Sequence, residues 1–193
     1  MLKSKLVLNA DQWRAMSSVP RWSIIGCLRA GGPQSVSEIS TELGIPPKGL
    51  YYHLRALTSV GLIEVHSNRK STRQVEAVYQ AVADWFSFDP SEEDAEIQGA
   101  YIKAITAILE GTAKRIRSAN ALLPTNSTTR SIIKVETANV YLSEDDRIEL
   151  QKKIEDLALW AKTRNQREGG TRVLFVGCTT PLIGKLDELE SPC

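Results

Sequence analysis

Between Pro47 and Val60 the chain places Leu50, Leu54 and Leu57 at spacings of four and three, which is one face of a helix. The outward set is then Lys48, Gly49, Tyr51, Tyr52 and Arg55. Lysine and arginine on such a face can donate to a guanine edge or to a phosphate. A tyrosine hydroxyl can donate to phosphate, its ring can pack on a thymine methyl, and Gly49 permits a close backbone approach. Neighbouring Tyr51 and Tyr52 do not point the same way, so one of them is expected to be partly packed. His53 suits helix packing or a phosphate bond better than proton transfer. A second basic group, Arg69, Lys70 and Arg73, lies in the polar, turn-like run SNRKSTR. Alone, such a run is a solvated hairpin tip. Between two strand-like runs and beside the helix just described, it favours phosphate contact.

Other chemistries have no foothold in the sequence. There is no glycine-rich phosphate loop, no G-x-S-x-G, no metal triad and no telling pair of acids. Cys27, Cys178 and Cys193 are odd in number and lack short spacings, so they form neither a disulfide framework nor a paired zinc motif. His53 and His66 have no cysteine or carboxylate at ligand spacing. No catalytic residue, no metal site and no cofactor are expected.

The elements that must position the basic residues can be read around them. A short helix is expected over 10–17 and a longer one over 19–30, with Pro20 in its first turn and Gly31-Gly32-Pro33 ending it. Ser35 with Glu38 is a capping box opening a two-turn helix that Gly44 stops. The helix carrying the leucines follows over 47–60, and Gly61 caps it. A strand over 62–65, the basic loop, and a strand over 74–80 complete this part. Asp89-Pro90-Ser91 is a boundary signal. A long helix over 92–120 carries a stripe of Ile97, Tyr101, Ala104, Ile105, Ile108, Thr112 and Ile116. At 1.5 Å per residue it is roughly 40 Å long, too long to bury wholly against so small a domain. A strand over 132–142, a helix from Ser143 to about 165, and a strand over 173–178 are expected beyond it.

Length and charge narrow the function classes. The 193 residues are 42% hydrophobic and 24% charged, which is ordinary for a globular chain able to bury its own core. The net charge of +1 excludes a histone-like protein, yet it conceals an asymmetry. Residues 1–90 carry ten Lys/Arg against seven Asp/Glu, and residues 91–193 carry fourteen against sixteen. No apolar run approaches the roughly 20 residues of a membrane helix, and the first residues do not form a secretory signal. No membrane association is expected, and the cysteine usage fits a reducing, cytoplasmic compartment.

The stretch SVSEISTELGIPPKGLYYHLRALTSVGLIEV, then NRKSTR, then VYQAV, resembles the ArsR-like winged helix-turn-helix regulators. The likeness covers about residues 10–85. It implies a homodimer that binds double-stranded DNA through Lys48, Gly49, Tyr51, Tyr52, His53 and Arg55 on the recognition helix and Arg69, Lys70 and Arg73 on the wing. The fold class expected is α+β: a mainly helical winged helix-turn-helix domain over 1–90, then a region over 91–193 with a long linking helix and a small β-α-β segment. The long helix would supply the dimer contacts Ile97, Tyr101, Ile105, Ile108 and Thr112, and the remainder would extend the dimer or hold a small-molecule effector. The function expected is a sequence-specific transcription regulator on a near-palindromic operator. The alternative is a winged-helix adaptor whose C-terminal region binds a protein partner or small ligand. Metal-sensing members carry a Cys-x-Cys pair or His/Asp clusters, which this chain lacks. Stoichiometric Zn²⁺ or As(III) is therefore expected to leave DNA binding unchanged, and a titration in which either metal releases the DNA overturns that expectation.

Overall fold

A series of local stop and start signals divides the first half of the chain into short helices. In the computed structural model, which describes residues 5–70, 75–89, 91–122, 138, 140–165 and 173–180, strand β1 (Lys5–Val7) leads into helix α1 (Ala10–Met16). Asn9 caps α1 in a reciprocal box with Gln12. Helix α2 (Val19–Gly31) carries Pro20 in its first turn. Strand β2 (Gln34–Ser35) then runs directly into α3 (Val36–Leu43), where the Ser35 side chain accepts from the Glu38 amide and the Glu38 carboxylate accepts from the Ser35 amide. Gly44, at φ 67°, takes the left-handed cap that ends α3. Helix α4 (Pro47–Ser59) follows after the three-residue link Gly44-Ile45-Pro46. Gly61, at φ 69°, turns the chain into β3 (Ile63–Lys70), which pairs with β4 (Val75–Ala81). Strand β5 (Trp85–Ser87), helix α5 (Ala95–Leu122) and helix α6 (Glu144–Thr163) complete the order.

The strands form two small sheets. One is antiparallel in the order β2-β4-β3, and the other is the parallel pair β1-β5. The architecture is α+β, with a helix-turn-helix formed by α3 and α4 and a wing formed by β3 and β4. The chain divides into two compact units, Met1–Val135 and Glu136–Cys193. The expected division at 90/91 falls inside the first unit, because α5 packs against α1 and α2 and belongs with them.

The core of the first unit collects Met16, Ile24, Ile25, Ile39, Leu50, Leu54, Leu57, Leu62 and Ile63, each almost fully buried. Helix α5 adds buried Ala100 and Ala104, with Ile97 and Tyr101 packed against the same cluster. The Tyr101 ring stacks on Phe88 at 4.3 Å and meets the edge of Trp13 at 4.9 Å. Arg14 pairs with Glu96, and Arg115 donates to the Ser23 hydroxyl, so α5 is fixed to α1 and to α2. The long helix therefore does more than link. The set expected at a dimer contact divides accordingly. Ile97, Tyr101 and Ile108 are taken up within their own chain, whereas Ile105 and Thr112 stay half-buried.

Three other expectations change. The basic run is not a loop throughout: Ser67–Lys70 continue β3, because ladder pairing from Ile63↔Ala81 to Lys70↔Val75 carries the strand on through polar sequence. Strands β1, β2 and β5 add to the expected elements; two or three residues are too few to show a period in the sequence. The strand expected over 132–142 lies mostly outside the described residues, and Val140–Leu142 and Val173–Cys178 adopt no strand. An apolar run becomes a strand only beside another strand edge, and among the described residues of the second unit there is none. In that unit α6 is capped by Ser143 and bears the ion pairs Arg147–Glu144 and Lys153–Glu149, yet none of its residues is buried. Residues 173–180 run close to it: a Cβ built on Gly177 would lie 2.9 Å from Ile154 Cγ2.

The α5–α2 crossing also rests on a glycine. A Cβ on Gly111 would lie 2.9 Å from Val19 Cγ2 and 3.2 Å from Cγ1, and a β-branched side chain in a helix has little rotamer freedom with which to yield. Gly111→Leu is expected to destabilise the first unit by about 1–3 kcal/mol. Gly26→Ala, at an exposed position in α2 with nothing within 4 Å, is expected to stabilise it by about 0.5–1 kcal/mol. Urea unfolding followed by tryptophan fluorescence checks both signs.

Candidate nucleic-acid interface

Helix α4 exists in this place because its leucines bury. Leu50, Leu54 and Leu57 are at most 1% exposed, and Leu57 accepts from the Leu62 amide at 3.0 Å, which leads the chain back toward the wing. Burying one stripe leaves the rest of the helix surface open. Lys48, Gly49, Tyr51, Tyr52, Arg55, Thr58 and Ser59 are all exposed. Tyr51 is 55% and Tyr52 71% exposed, so both tyrosines are open to solvent, contrary to the expectation that one would pack. The reason is the narrowness of the buried stripe, which leaves room for two neighbours on the open side. Lys48 and Arg55 make no ion pair among the described residues. A Cβ on Gly49 would meet only Ile45 Cγ2, at an ordinary 3.4 Å, so nothing inside the chain demands glycine there.

His53 differs from its neighbours. It is half-buried, its Nδ1 has no hydrogen-bond partner, and the Tyr52 ring meets it edge-on at 5.4 Å. Burial first, and the positive charge of Arg21 second, push its pKa below the ordinary value. It is thus kept neutral near physiological pH, the wrong charge for an ionic phosphate contact but no bar to a neutral hydrogen bond.

On the wing, Arg69 and Lys70 are exposed at the distal end of β3, while Arg73 lies outside the described residues. The Arg69 guanidinium is 3.0 Å from a Glu38 carboxylate oxygen. Hydrogen bonding from the Ser35 amide foremost, aided by Arg69, holds Glu38 below the ordinary carboxylate range.

A groove separates α4 from the wing. One cavity of about 420 Å³ is lined by Val36, Ser37, Tyr51, Val75, Glu76, Ala77 and Tyr79. Another, of about 390 Å³, is lined by Tyr51, Arg55, Thr58, Ser59, Val65 and Tyr79. Tyr51 and Tyr79 border both. Thr58, Ser59 and Tyr79 did not figure among the expected site residues. The first two follow Arg55 at spacings of three and four, which already put them on its face. Tyr79 could not be found in this way, since its place depends on which face of β4 is turned to α4.

Among the described residues no group of three or more His, Cys, Asp or Glu could hold a metal ion, and no helix is long and apolar enough to cross a membrane. No curated protein matches the chain. A family model described as a helix-turn-helix domain matches residues 21–66, from the first turn of α2 into β3. With its buried leucine stripe, open basic face and adjoining wing, this segment is a helix-turn-helix domain of the DNA-binding kind.

Proposed function

We propose that the chain is a homodimeric, sequence-specific, ArsR-like transcription regulator that acts on a near-palindromic operator in the cytoplasm and has no catalytic role. The observation that carries this reading is the open face of α4, where Lys48, Tyr51, Tyr52 and Arg55 stand exposed beside a wing bearing Arg69 and Lys70. The N-terminal half of α4 enters the major groove, which is about 12 Å wide, and the wing lies along the backbone. His53 supports the helix from its inner edge. Two copies place their α4 helices in successive major grooves about 34 Å apart.

The dimer seam follows from what α5 leaves open. Ile102, Leu109 and Ile116 are 60%, 39% and 38% exposed, and with half-buried Ile105 and Thr112 they recur at spacings of three and four. That is the pattern of a two-helix seam. It retains Ile105 and Thr112 from the expected dimer set and replaces buried Ile108 and the half-buried Ile97 and Tyr101, which pack within the protomer. A role for the second unit in binding an effector or a protein partner is favoured by its exposed Ile148, Leu157 and Trp160 on α6.

Selection of bound sites from random DNA tests the central reading, with a recovered palindrome as the expected result. Arg55→Ala is expected to relax the consensus at a defined base, at a cost of about 1–3 kcal/mol in discrimination, while most of the salt slope remains. Lys70→Ala is expected to keep the consensus and to flatten the log-log salt slope by about one unit. Affinities for operator and random DNA at several salt concentrations separate the two, and the reverse pattern would exchange the roles of helix and wing.

Leu109→Glu is expected to convert a dimer into a monomer in sedimentation at micromolar concentration and to weaken operator binding at least tenfold, since a charge buried in the seam has no partner. A wild-type chain that sediments as a monomer would sink the dimer.

A further inference from the structure

The distal end of the wing has little to hold it in place. Every residue of β3 from Glu64 to Lys70 is exposed, as is Val75 on β4. β2 pairs with β4 only at Val78 and Tyr79, and beyond them the two-stranded end of the hairpin is marginally stable by itself. Its angle to α4 therefore depends on a few contacts, and two of them join the distal wing to the first turn of α3. In one, Arg69 on β3 donates to Glu38 Oε1 at 3.0 Å. In the other, the Ser37 amide donates to Glu76 Oε1 on β4 at 2.9 Å.

The two contacts run in opposite senses between the same two places. An acid of α3 holds a base of the wing, and an acid of the wing holds an amide of α3. Arg69 and Glu76 are direct cross-strand partners, so both strands are gripped at one level of the ladder. Glu38 is not a loose surface acid, because its other oxygen accepts from the Ser35 amide at 2.7 Å as part of the helix cap. Glu76 and Ser37 also line the cavity that separates the wing from Tyr51. The brace thus borders the groove through Ser37 and Glu76, and it holds Arg69, a wing cation otherwise free to meet a phosphate.

We propose that Glu38 and Glu76 are positioning residues which fix the wing at a set angle to α4 and withhold Arg69 from the DNA backbone, so that they raise selectivity for operator over random DNA at the expense of overall affinity. The DNA half of this proposal rests on the function proposed above; the brace itself does not.

Glu38→Gln and Glu76→Gln test it, because glutamine can still accept from the amides while losing the charge. Without DNA, amide hydrogen exchange in 67–70 and 75–78 is expected to quicken about threefold or more in each variant, with α4 unchanged. With DNA, Glu38→Gln is expected to bind random DNA more tightly, to steepen the log-log salt slope by about one unit as Arg69 is released, and to lower the operator-to-random ratio. In an Arg69→Ala background the effect of Glu38→Gln on DNA binding should largely vanish, as a double-mutant cycle requires of a coupled pair. Unchanged exchange in the wing overturns the brace. A gain in affinity that persists undiminished without Arg69 overturns its release and leaves only the lost negative charge. Faster exchange in the wing, together with no DNA binding by the wild-type chain, overturns the DNA reading and the selectivity role while the brace stands.

Discussion

Leu50, Leu54 and Leu57 lie on one side of α4 and are buried against the rest of the first unit, and most of what this chain presents to the outside follows from that. Burying three leucines contributes roughly 1.5–3 kcal/mol each before entropy is counted. No competing arrangement of this helix buries as much, since the opposite face holds Lys48, Tyr51, Tyr52 and Arg55. Rotating α4 by half a turn would put two cations and two phenols into an apolar core and three leucines into water. The chemistry of the exposed face is thus imposed by the packing of the hidden one. The short α3 and the Gly44 turn complete the constraint, because they leave α4 only one side on which to meet Ile39 and Leu28.

Helix α5 shows the same logic on one of its faces. Its Ala100 and Ala104 let it approach α1 closely, Tyr101 inserts between Phe88 and Trp13, and Gly111 lets it pass Val19. These contacts use one apolar side of the helix. Another side, with Ile102, Leu109 and Ile116, stays exposed in the single chain. A helix of 28 residues with two apolar stripes is suited to joining a domain to something further, and the spacing of the second stripe suits a copy of itself.

Charge acts locally in this molecule. A net charge of +1 gives almost no long-range field, so any nucleic-acid affinity has to come from placement. Placement puts cations on α4 and at the end of β3, and it also puts Glu38 and Glu76 among them. Acids inside a basic surface weaken attraction to any polyanion, and under the proposed function they favour a DNA whose shape and base contacts make up the difference. That is the electrostatic form of selectivity.

Composition and periodicity by themselves determined the helices from Ala10 to Ser59, the capping box at Ser35, the turn at Gly44, the long helix and the outward set on α4, because each of these is written in residues no more than a few positions apart. The α+β class and the helix-turn-helix followed from their order. Tertiary structure alone decided the rest. Whether Ser67–Lys70 is loop or strand depends on a ladder with residues 75–78, and whether Val173–Cys178 pairs depends on an edge elsewhere in the chain. The two faces of α5 look alike in sequence, and only α1 and α2 decide which one is core. Arg69 and Glu38 lie 31 positions apart, and nothing local in either segment shows that they meet. Short-range physics writes the elements and the surface they offer; contacts closed over long loops decide which of those surfaces remain free.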